Sequence, residues 1–404
     1  MIMSILDEIK DEEVWNRFLQ EKRMKSQLTA REEKELTVFI REKQYLPMAE
    51  TPAFDYPAKK EIAKSGSEKK RTVYMYGKEE TWILKLIAWL LYRYDSRMPS
   101  RCYAFRKGRT AKSALRDIRA LENPDACWTV KADIRNYFNS IDPQLLSEKL
   151  KDFLSDDPRL YEFLNALLLQ NKCYENGVLK EEMRGAMAGM PLSSFFANLY
   201  LMDLDLLFEA KRIPCFRYSD DILLFASCEE EASSHLSLLE EELRKRHLSL
   251  NPEKTGLSAP HEAWEFLGFR YQDGEVDLSK NTIRKMKAKI RRKAHRLYAW
   301  RKKTGSDYDR AAKAMIRSMD RVFYDLFGTN QFTWTRFYFP LITVSTGLHE
   351  IDEYCLMYLR YLYSGRHTKG NYRISYERVK RLGYTPLVAE YYRWKEENRK
   401  LKAQ

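Results

Sequence analysis

The sequence predicts an α+β fold, because strand-like and helix-like patterns occupy separate stretches of the chain. Residues 215–226, CFRYSDDILLFA, place a Ser-Asp-Asp turn between two runs of aromatic and branched residues, which is the pattern of a β-hairpin. Residues 79–94 instead carry apolar side chains at helical spacing, among them Trp82, Leu86 and Leu90. A chain of 404 residues is long enough for two or three subdomains.

Two adjacent carboxylates, Asp220 and Asp221, occupy the turn of this hairpin. Burial of an unpaired carboxylate costs several kcal/mol, and two adjacent carboxylates also repel each other. A hairpin whose apolar flanks draw both acids toward the interior therefore indicates a compensating cation. A solvent-exposed turn that contains Asp-Asp by chance explains the hairpin alone equally well.

The segment 128–142, WTVKADIRNYFNSID, supplies a third carboxylate and favours the cation site. Asp133 ends a short apolar strand, and the aromatic Phe138 follows five positions later. Polymerases that transfer phosphoryl groups use two Mg²⁺ ions about 3.5–4 Å apart, held by a few carboxylates, to activate a 3′-hydroxyl and clamp a triphosphate. Acids on two separate strands would meet this need.

In these motifs the sequence resembles the palm of reverse transcriptases. The first palm motif of that family is D-x-x-x-x-[FY], which Asp133 and Phe138 match. Its active-site hairpin is [YF]-x-D-D, which residues 218–221 match. The resemblance implies a right-hand polymerase fold with fingers, a palm built on an antiparallel sheet, and a helical thumb.

The resemblance also implies a set of ligands for the metal and the substrate. Asp133, Asp220 and Asp221, with the carbonyl of Ile134, would hold two Mg²⁺ ions. Phe138 stands where the family places the aromatic ring that excludes a 2′-hydroxyl, which implies that the substrates are dNTPs.

Residues 59–76, KKEIAKSGSEKKRTVYMY, predict a basic hairpin with Ser-Gly-Ser at its turn. In the resemblance this is the fingers hairpin that closes over the incoming nucleotide, with Lys64 and Arg71 as its cations. Arg71 is the better candidate, since a guanidinium binds a phosphate with two hydrogen bonds and also stacks on a base. A charged turn is more often a solvated surface, and only its position relative to the palm motifs favours the nucleotide-binding role.

Residues 102–109, CYAFRKGR, resemble an aromatic and basic stretch of the family that contacts the template. Arg106, Lys107 and Arg109 are therefore candidate nucleic-acid ligands. Loop charges without such a role explain the stretch equally well.

Residues 184–205 predict a Gly-rich loop that leads into an apolar helix. They resemble the family motif P-Q-G-x-x-x-S-P followed by L-x-N-x-x-L, through Gly189, Ser193 and Asn198, so Gly189 and Ser193 are candidate substrate contacts. Met-Ala replaces the usual Pro-Gln, and a second serine replaces the final proline. The missing glutamine normally contacts the nucleotide sugar. Departures of this kind recur in bacterial reverse transcriptases linked to phage defence, which include abortive-infection and unclassified lineages.

Two short motifs follow the hairpin. Residues 251–255, NPEKT, match a family motif in which Lys254 would donate a proton to the departing pyrophosphate, although a surface lysine in a turn fits equally well. Residues 265–269, EFLGF, match the primer-grip hairpin, where Gly268 would let the backbone approach the primer end. A tight strand bend is the structural alternative for Gly268.

Residues 280–303 contain twelve Lys and Arg and no acid, with an apolar residue recurring every seven positions. The pattern predicts a helix with one apolar stripe opposite a basic surface. The resemblance makes it the first thumb helix, with Arg284, Lys287 and Arg291 as nucleic-acid contacts. A generic basic surface helix is the alternative.

The composition fits a protein that binds a polyanion. The chain has 71 Lys and Arg against 58 Asp and Glu, a formal charge of +13, and 13% aromatic residues on which bases can stack. Six scattered cysteines form no C-x-x-C pair, so we expect neither a zinc site nor a disulfide framework. The absence of an 18-residue apolar run or a basic leader leads us to expect a cytoplasmic protein without a membrane contact.

Together these patterns predict four regions and one main function. We expect an N-terminal helical extension at 1–50, fingers and palm at 51–275, a helical thumb at 276–350, and a C-terminal helical extension at 351–404. The expected function is that of an RNA-directed DNA polymerase that copies an associated non-coding RNA template into DNA during antiphage defence. A retron or mobile-element enzyme, and an RNA-binding protein with a vestigial palm, are the alternatives. The primer and the oligomeric state stay open.

Overall fold

A computed structural model describes residues 3–47, 54–63, 70–182, 185, 188–324 and 333–403. The chain forms two compact units, Met1–Glu262 and Ala263–Gln404. Within the described ranges, no helix has both the length and the apolar character needed to cross a membrane.

The first unit combines helices with two four-stranded sheets. Its strands are β1 Ala58–Ala63, β2 Lys70–Met75, β3 Trp128–Asp133, β4 Lys172–Glu175, β5 Val178–Glu181, β6 Cys215–Tyr218, β7 Asp221–Ala226 and β8 Gly256–Ser258. Its α-helices are α1 Ile5–Glu8, α2 Glu12–Met24, α3 Ala30–Arg41, α4 Lys78–Leu90, α5 Ala111–Arg119, α6 Tyr137–Ser140, α7 Pro143–Phe153, α8 Pro158–Leu168, α9 Ser193–Tyr200, α10 Met202–Ala210 and α11 Glu229–Lys245. Short 3₁₀-helices span Leu91–Arg97, Pro124–Ala126 and Pro252–Lys254.

The sheet that carries the acidic motifs has the strand order β6-β7-β3-β8, with every pair antiparallel. The predicted hairpin is confirmed as β6 and β7, joined at Ser219 and Asp220. Val130 and Leu224 are fully buried and directly opposite each other, so the β3–β7 pairing is anchored in the core of the unit.

The second sheet has the order β2-β1-β4-β5 and contains the predicted basic hairpin as β1 and β2.

The N-terminal helices predicted from the sequence are present and pack on the rest of the first unit. Asp157 accepts hydrogen bonds from the Ser4 hydroxyl at 2.7 Å and the Ile5 N–H at 2.9 Å, and the indole of Trp89 donates to Glu21 at 2.8 Å. The extension is therefore part of the core packing of the first unit.

The second unit joins a three-stranded antiparallel sheet to a group of helices. The strands are β9 Trp264–Phe266, β10 Phe269–Gln272 and β11 Glu275–Leu278. The helices are α12 Lys280–Thr304, α13 Tyr308–Phe323, α14 Trp334–Tyr338, α15 Thr346–Ser364, α16 Tyr376–Arg381 and α17 Leu387–Ala403, with a 3₁₀-helix at Lys369–Arg373.

The sheet of the second unit is tied to the helices that follow it. The Asp277 carboxylate accepts from the N–H of Gly347, at the start of α15, at 3.0 and 3.2 Å, and the Val276 carbonyl accepts from the N–H of Thr343 at 2.8 Å. The boundary between the two compact units follows Glu262, before β9. The sequence analysis instead placed the end of the palm at residue 275. The division into four regions stays a prediction.

Candidate active site

The candidate site forms where β3 meets the turn of the β6–β7 hairpin. Antiparallel pairing places Asp133, the last residue of β3, directly opposite Asp221, the first residue of β7. Ser219 adopts a left-handed conformation with φ of 62°, which turns the chain sharply before Asp220. The N–H of Ile134 then donates to the carbonyl of Asp220 at 3.0 Å. The structure therefore brings together the three acids that the sequence singled out.

Lysine side chains neutralise two of these acids. The Lys254 ammonium lies 2.8 and 2.9 Å from the two carboxylate oxygens of Asp133. Lys131, two positions before Asp133 on β3, forms an ion pair with Asp221. Lys254 was predicted from its motif, but Lys131 was not, although a charged residue inside an apolar strand was a usable signal.

The third acid, Asp220, has a raised pKa. Burial raises the pKa of Asp220, and the negative charge of Asp133 raises it further, while Lys254 and Lys131 act in the opposite direction. Like charges at close range have this effect because each disfavours ionisation of the other. The carboxylates therefore form one electrostatic cluster.

The donor set of this cluster fits magnesium by its chemistry, since Mg²⁺ prefers hard oxygen ligands and is commonly held by carboxylates. In the described ranges, however, no three His, Cys, Asp or Glu side chains converge in the geometry of a formed metal site. Lys131 and Lys254 contact two of the three carboxylates.

Phe138 lies in the short helix α6, directly after β3. Asn136 adopts a left-handed conformation with φ of 50°, which ends the strand and starts this helix. The Phe138 ring packs edge-on against Phe105 with centroids 6.2 Å apart. Gly185 lies against the same segment, because a Cβ there would come within 2.7 Å of the Phe138 carbonyl oxygen.

Gly189 packs against the edge of the basic hairpin. The N–H of Tyr74 in β2 donates to the carbonyl of Ala188 at 2.8 Å, and a Cβ on Gly189 would come within 3.0 Å of Val73. The φ of Gly189, 103°, also favours glycine. Ser193 begins α9 and is buried. Gly189 thus has a structural role, and the substrate contacts of Gly189 and Ser193 stay predictions.

The predicted cations of the hairpin are only partly described. Lys64 lies outside the described residues. Arg71 lies in β2 with its backbone paired to Ile62, and its side chain also lies outside the described part. Their role in phosphate binding stays a prediction.

Comparison with known proteins identifies the family. Residues 62–271, slightly more than half of the chain, match the family model described as reverse transcriptase (RNA-dependent DNA polymerase). The chain belongs to the reverse transcriptase family. The predicted α+β fold of the right-hand polymerase class is thereby confirmed. A search of curated proteins gave no match.

Solved telomerase structures show a distant likeness. Apo telomerase from Candida tropicalis truncated from the C-terminal domain has 14% identity and a TM-score of 0.44, with 56% of this chain and 55% of that chain covered. Apo telomerase from the same species has 11% identity and a TM-score of 0.45, with coverages of 83% and 60%. Telomerase from Candida albicans in complex with a fragment of telomeric RNA has 13% identity and a TM-score of 0.43, with coverages of 81% and 62%. The chain therefore spans less than two thirds of each of these structures.

The candidate template contacts of this reverse transcriptase differ in their surroundings. The Arg106 guanidinium donates to the backbone carbonyls of Asp95, Pro99 and Cys102 at 2.5, 2.5 and 3.0 Å. Arg106 therefore holds its own loop together. Arg109 lies 3.5 Å from Asp117, and the Lys107 side chain is exposed. A nucleic-acid role for the three residues stays a prediction.

In the second unit of this reverse transcriptase, the predicted basic helix is confirmed as α12. Arg284, Lys287 and Arg291 line a groove of about 320 Å³ together with Glu350 and Tyr354 of α15. The Lys287 ammonium pairs with Glu350 at 2.6 Å. The two arginines leave the groove basic, which suits a phosphate backbone.

Gly268 lies in the tight turn between β9 and β10, with φ of 85°. Its carbonyl accepts from the Thr282 hydroxyl at 2.8 Å and from the Ser279 N–H at 2.9 Å. The turn is therefore fixed to the start of α12, which supports the structural alternative for this glycine, and its primer contact stays a prediction.

A buried ion pair beneath the hairpin was missed from the sequence. Arg217 in β6 is 1% exposed and donates to both carboxylate oxygens of Asp205 in α10, at 2.8 and 2.5 Å. The same guanidinium donates to the Asn198 side-chain oxygen at 3.4 Å and to the Ser219 carbonyl at 3.3 Å. The available signal in the sequence was an arginine, Arg217, and an acid, Asp205, each in a largely apolar segment. Through Arg217 the pair holds Ser219, the residue that precedes Asp220 and Asp221.

We expect Asp205→Asn to lower the free energy of unfolding by about 3–5 kcal/mol, because it leaves a buried guanidinium without its counter-charge. Asp203→Asn on the same helix is the matched control. Asp203 also pairs with basic side chains but is 49% exposed, so its loss should cost at most about 1 kcal/mol. Equilibrium unfolding in urea measures both variants, and equal losses would contradict the assigned role of the buried pair.

Proposed function

We propose that this protein is an RNA-directed DNA polymerase. The observation that carries the proposal is the meeting of Asp133 and Asp221 across β3 and β7 with Asp220 in the adjoining turn. Family membership supports the same activity. A protein that only bound RNA would gain nothing from three mutually repelling acids at one point.

The residues of the site have separate roles in this proposal. Asp133, Asp220, Asp221 and the carbonyl of Ile134 would hold two Mg²⁺ ions, which would activate the primer 3′-hydroxyl and stabilise charge at the triphosphate. Lys254 would donate a proton to the departing pyrophosphate, for which a partly exposed ammonium at the cluster is suited. Phe138 closes the sugar side of the nucleotide site against a 2′-hydroxyl.

The proposed partners are an RNA template, dNTPs and a DNA product. The net charge of +13 and the basic groove along α12 support binding of a polyanion. We further propose that the template is a dedicated non-coding RNA and that the enzyme acts in antiphage defence in the cytoplasm. The altered motif around Gly189 supports this lineage over the retron and mobile-element alternatives.

A catalytically vestigial RNA-binding protein is the second candidate. The observation that favours it is that lysine side chains form ion pairs with two of the three acids. Metal binding and primer extension distinguish the two candidates.

Replacement of both Asp220 and Asp221 by Asn should abolish DNA synthesis on a primed RNA template, by at least about 10³-fold, while RNA binding stays within about twofold of the unmodified chain. The reason is that metal ligands act on the chemical step, whereas dispersed cations bind the backbone. Primer extension and filter binding measure the two properties. Asp152→Asn, an exposed position on α7, is the control and should retain activity. Synthesis by the double variant would remove the acids from catalysis.

Replacement of Phe138 by Ala should admit ribonucleotides, because the ring that closes the sugar side is removed. We expect the ratio of kcat/KM for dNTPs over rNTPs to fall at least about tenfold in primer extension. Phe138→Tyr keeps the ring and should keep the ratio. An unchanged ratio in the Ala variant, with dNTP incorporation intact, would remove this role from Phe138.

Lys131→Gln should raise the affinity of the nucleotide-free protein for Mn²⁺ about fivefold, since the ammonium competes with the metal for Asp221. Titration followed by electron paramagnetic resonance measures the free ion. Lys149→Gln is the matched control, because Lys149 is also 23% exposed and pairs with Asp203 away from the cluster. Affinity that is equal or weaker in the Lys131 variant would show that Lys131 is no competitor.

A further inference from the structure

A basic and aromatic surface lies in the second unit between α15 and the end of α16. Residues 360–381 contain seven Lys and Arg against one acid. Tyr363, Tyr372 and Tyr376 in this stretch are 42%, 69% and 38% exposed. One of these cations, Arg378, pairs with Asp309 of α13 at 2.8 Å. Large exposed aromatic side chains among cations are a typical feature of surfaces that bind nucleic acid.

The loop at 365–375 has a fixed shape. The side chain of Asn371 is buried, accepts from the Ser364 hydroxyl at 2.7 Å, and donates to the carbonyl of Arg366 at 2.5 Å. At the far end of the loop, Ile374 is buried and its carbonyl accepts from the Arg360 guanidinium at 3.1 Å. The exposed residues of the loop are therefore held on an ordered backbone.

Tyr372 projects from this loop with one face already covered. The Arg360 guanidinium lies 4.7 Å from the centre of its ring. Because the side chain is nevertheless 69% exposed, the opposite face of the ring is open to solvent. A phenol ring that is fixed on one side by a guanidinium is a rigid stacking platform, which loses little conformational entropy when a base lies on it.

The cations around Tyr372 have no acidic partners in the part of the chain that the structure describes. Arg366, Lys369 and Arg373 are exposed and form no ion pair there. Side chains three positions apart eclipse one another in a 3₁₀-helix, so Lys369 lies on the same side of Lys369–Arg373 as Tyr372. The platform is thus bordered by cations that no acid in the described part of the unit pairs with.

We propose that the loop at 365–375 binds single-stranded nucleic acid, with one base stacked on the open face of Tyr372 and the adjoining phosphates bound by Arg366, Lys369 and Arg373. An unpaired strand is required, because the face of a base is accessible to a tyrosine ring only when the base is unstacked. The site does not depend on the polymerase chemistry, since it lies in the other compact unit and uses none of the palm residues.

The test is fluorescence anisotropy of the whole protein with labelled 20-nucleotide oligo(U) and oligo(dT). Tyr372→Ala should weaken binding at least fivefold, the lower end of the range for loss of one stacked base. Tyr372→Phe keeps the ring and should bind within twofold of the unmodified chain. A loss with oligo(U) alone assigns the site to RNA, a loss with oligo(dT) alone assigns it to DNA, and a loss with neither overturns the proposal.

The cations are tested through the salt dependence of binding. Replacement of Arg366, Lys369 and Arg373 by Gln should lower the slope of log K against log salt by about 2 for a single strand. The matched control replaces Lys313, Arg317 and Arg321, three exposed cations on α13, by Gln. An equal effect in the control, or an equal loss of binding to a 20-base-pair RNA–DNA hybrid in Tyr372→Ala, would overturn the assignment to this loop and to single strands. Circular dichroism verifies the fold of each variant.

Discussion

The antiparallel pairing of β3 with β7 is the constraint on which the candidate site depends. Its register places Asp133 and Asp221 side by side, and a shift of one residue would turn every side chain of the strand to the opposite face. The register is secured by buried pairs such as Val130 with Leu224, so apolar packing fixes the position of the acids. The repulsion between the carboxylates is a cost that this packing must exceed.

Internal cations offset part of that cost in two different ways. Lys131 and Lys254 contact the acids directly from β3 and from the turn before β8. Arg217 acts from the buried strand β6, where its ion pair with Asp205 and its hydrogen bond to the Ser219 carbonyl hold the turn in place. The side chains of the Lys131 and Lys254 ion pairs are partly exposed, so water can solvate them if the pairs separate. Arg217 and Asp205 are buried, so separation of that pair would leave two charges without water or a partner.

The sequence was sufficient for the parts of the fold that follow from local pattern. The hairpin at 215–226 and the helix at 280–303 were both found, because alternation and helical spacing are properties of short segments. The prediction that Asp133 lies beside Asp221 depended on the family motif. Pairing between strands 88 positions apart cannot be read from the local pattern of either strand. The backbone contacts of Arg106 and the ion pair of Arg217 could not be predicted for one reason: a charge that is satisfied by a distant backbone or a distant acid looks the same in a sequence as a solvated one. The surroundings of Gly189 were hidden likewise, because its neighbour β2 is remote in the chain.

The ion pairs at the acids also bear on whether folding of the first unit requires a bound metal. Domains whose fold depends on a bound ion are unfolded without it, and chelators denature them. Here the counter-charges of Asp133 and Asp221 belong to the polypeptide itself. We therefore expect the first unit to remain folded when EDTA removes divalent ions.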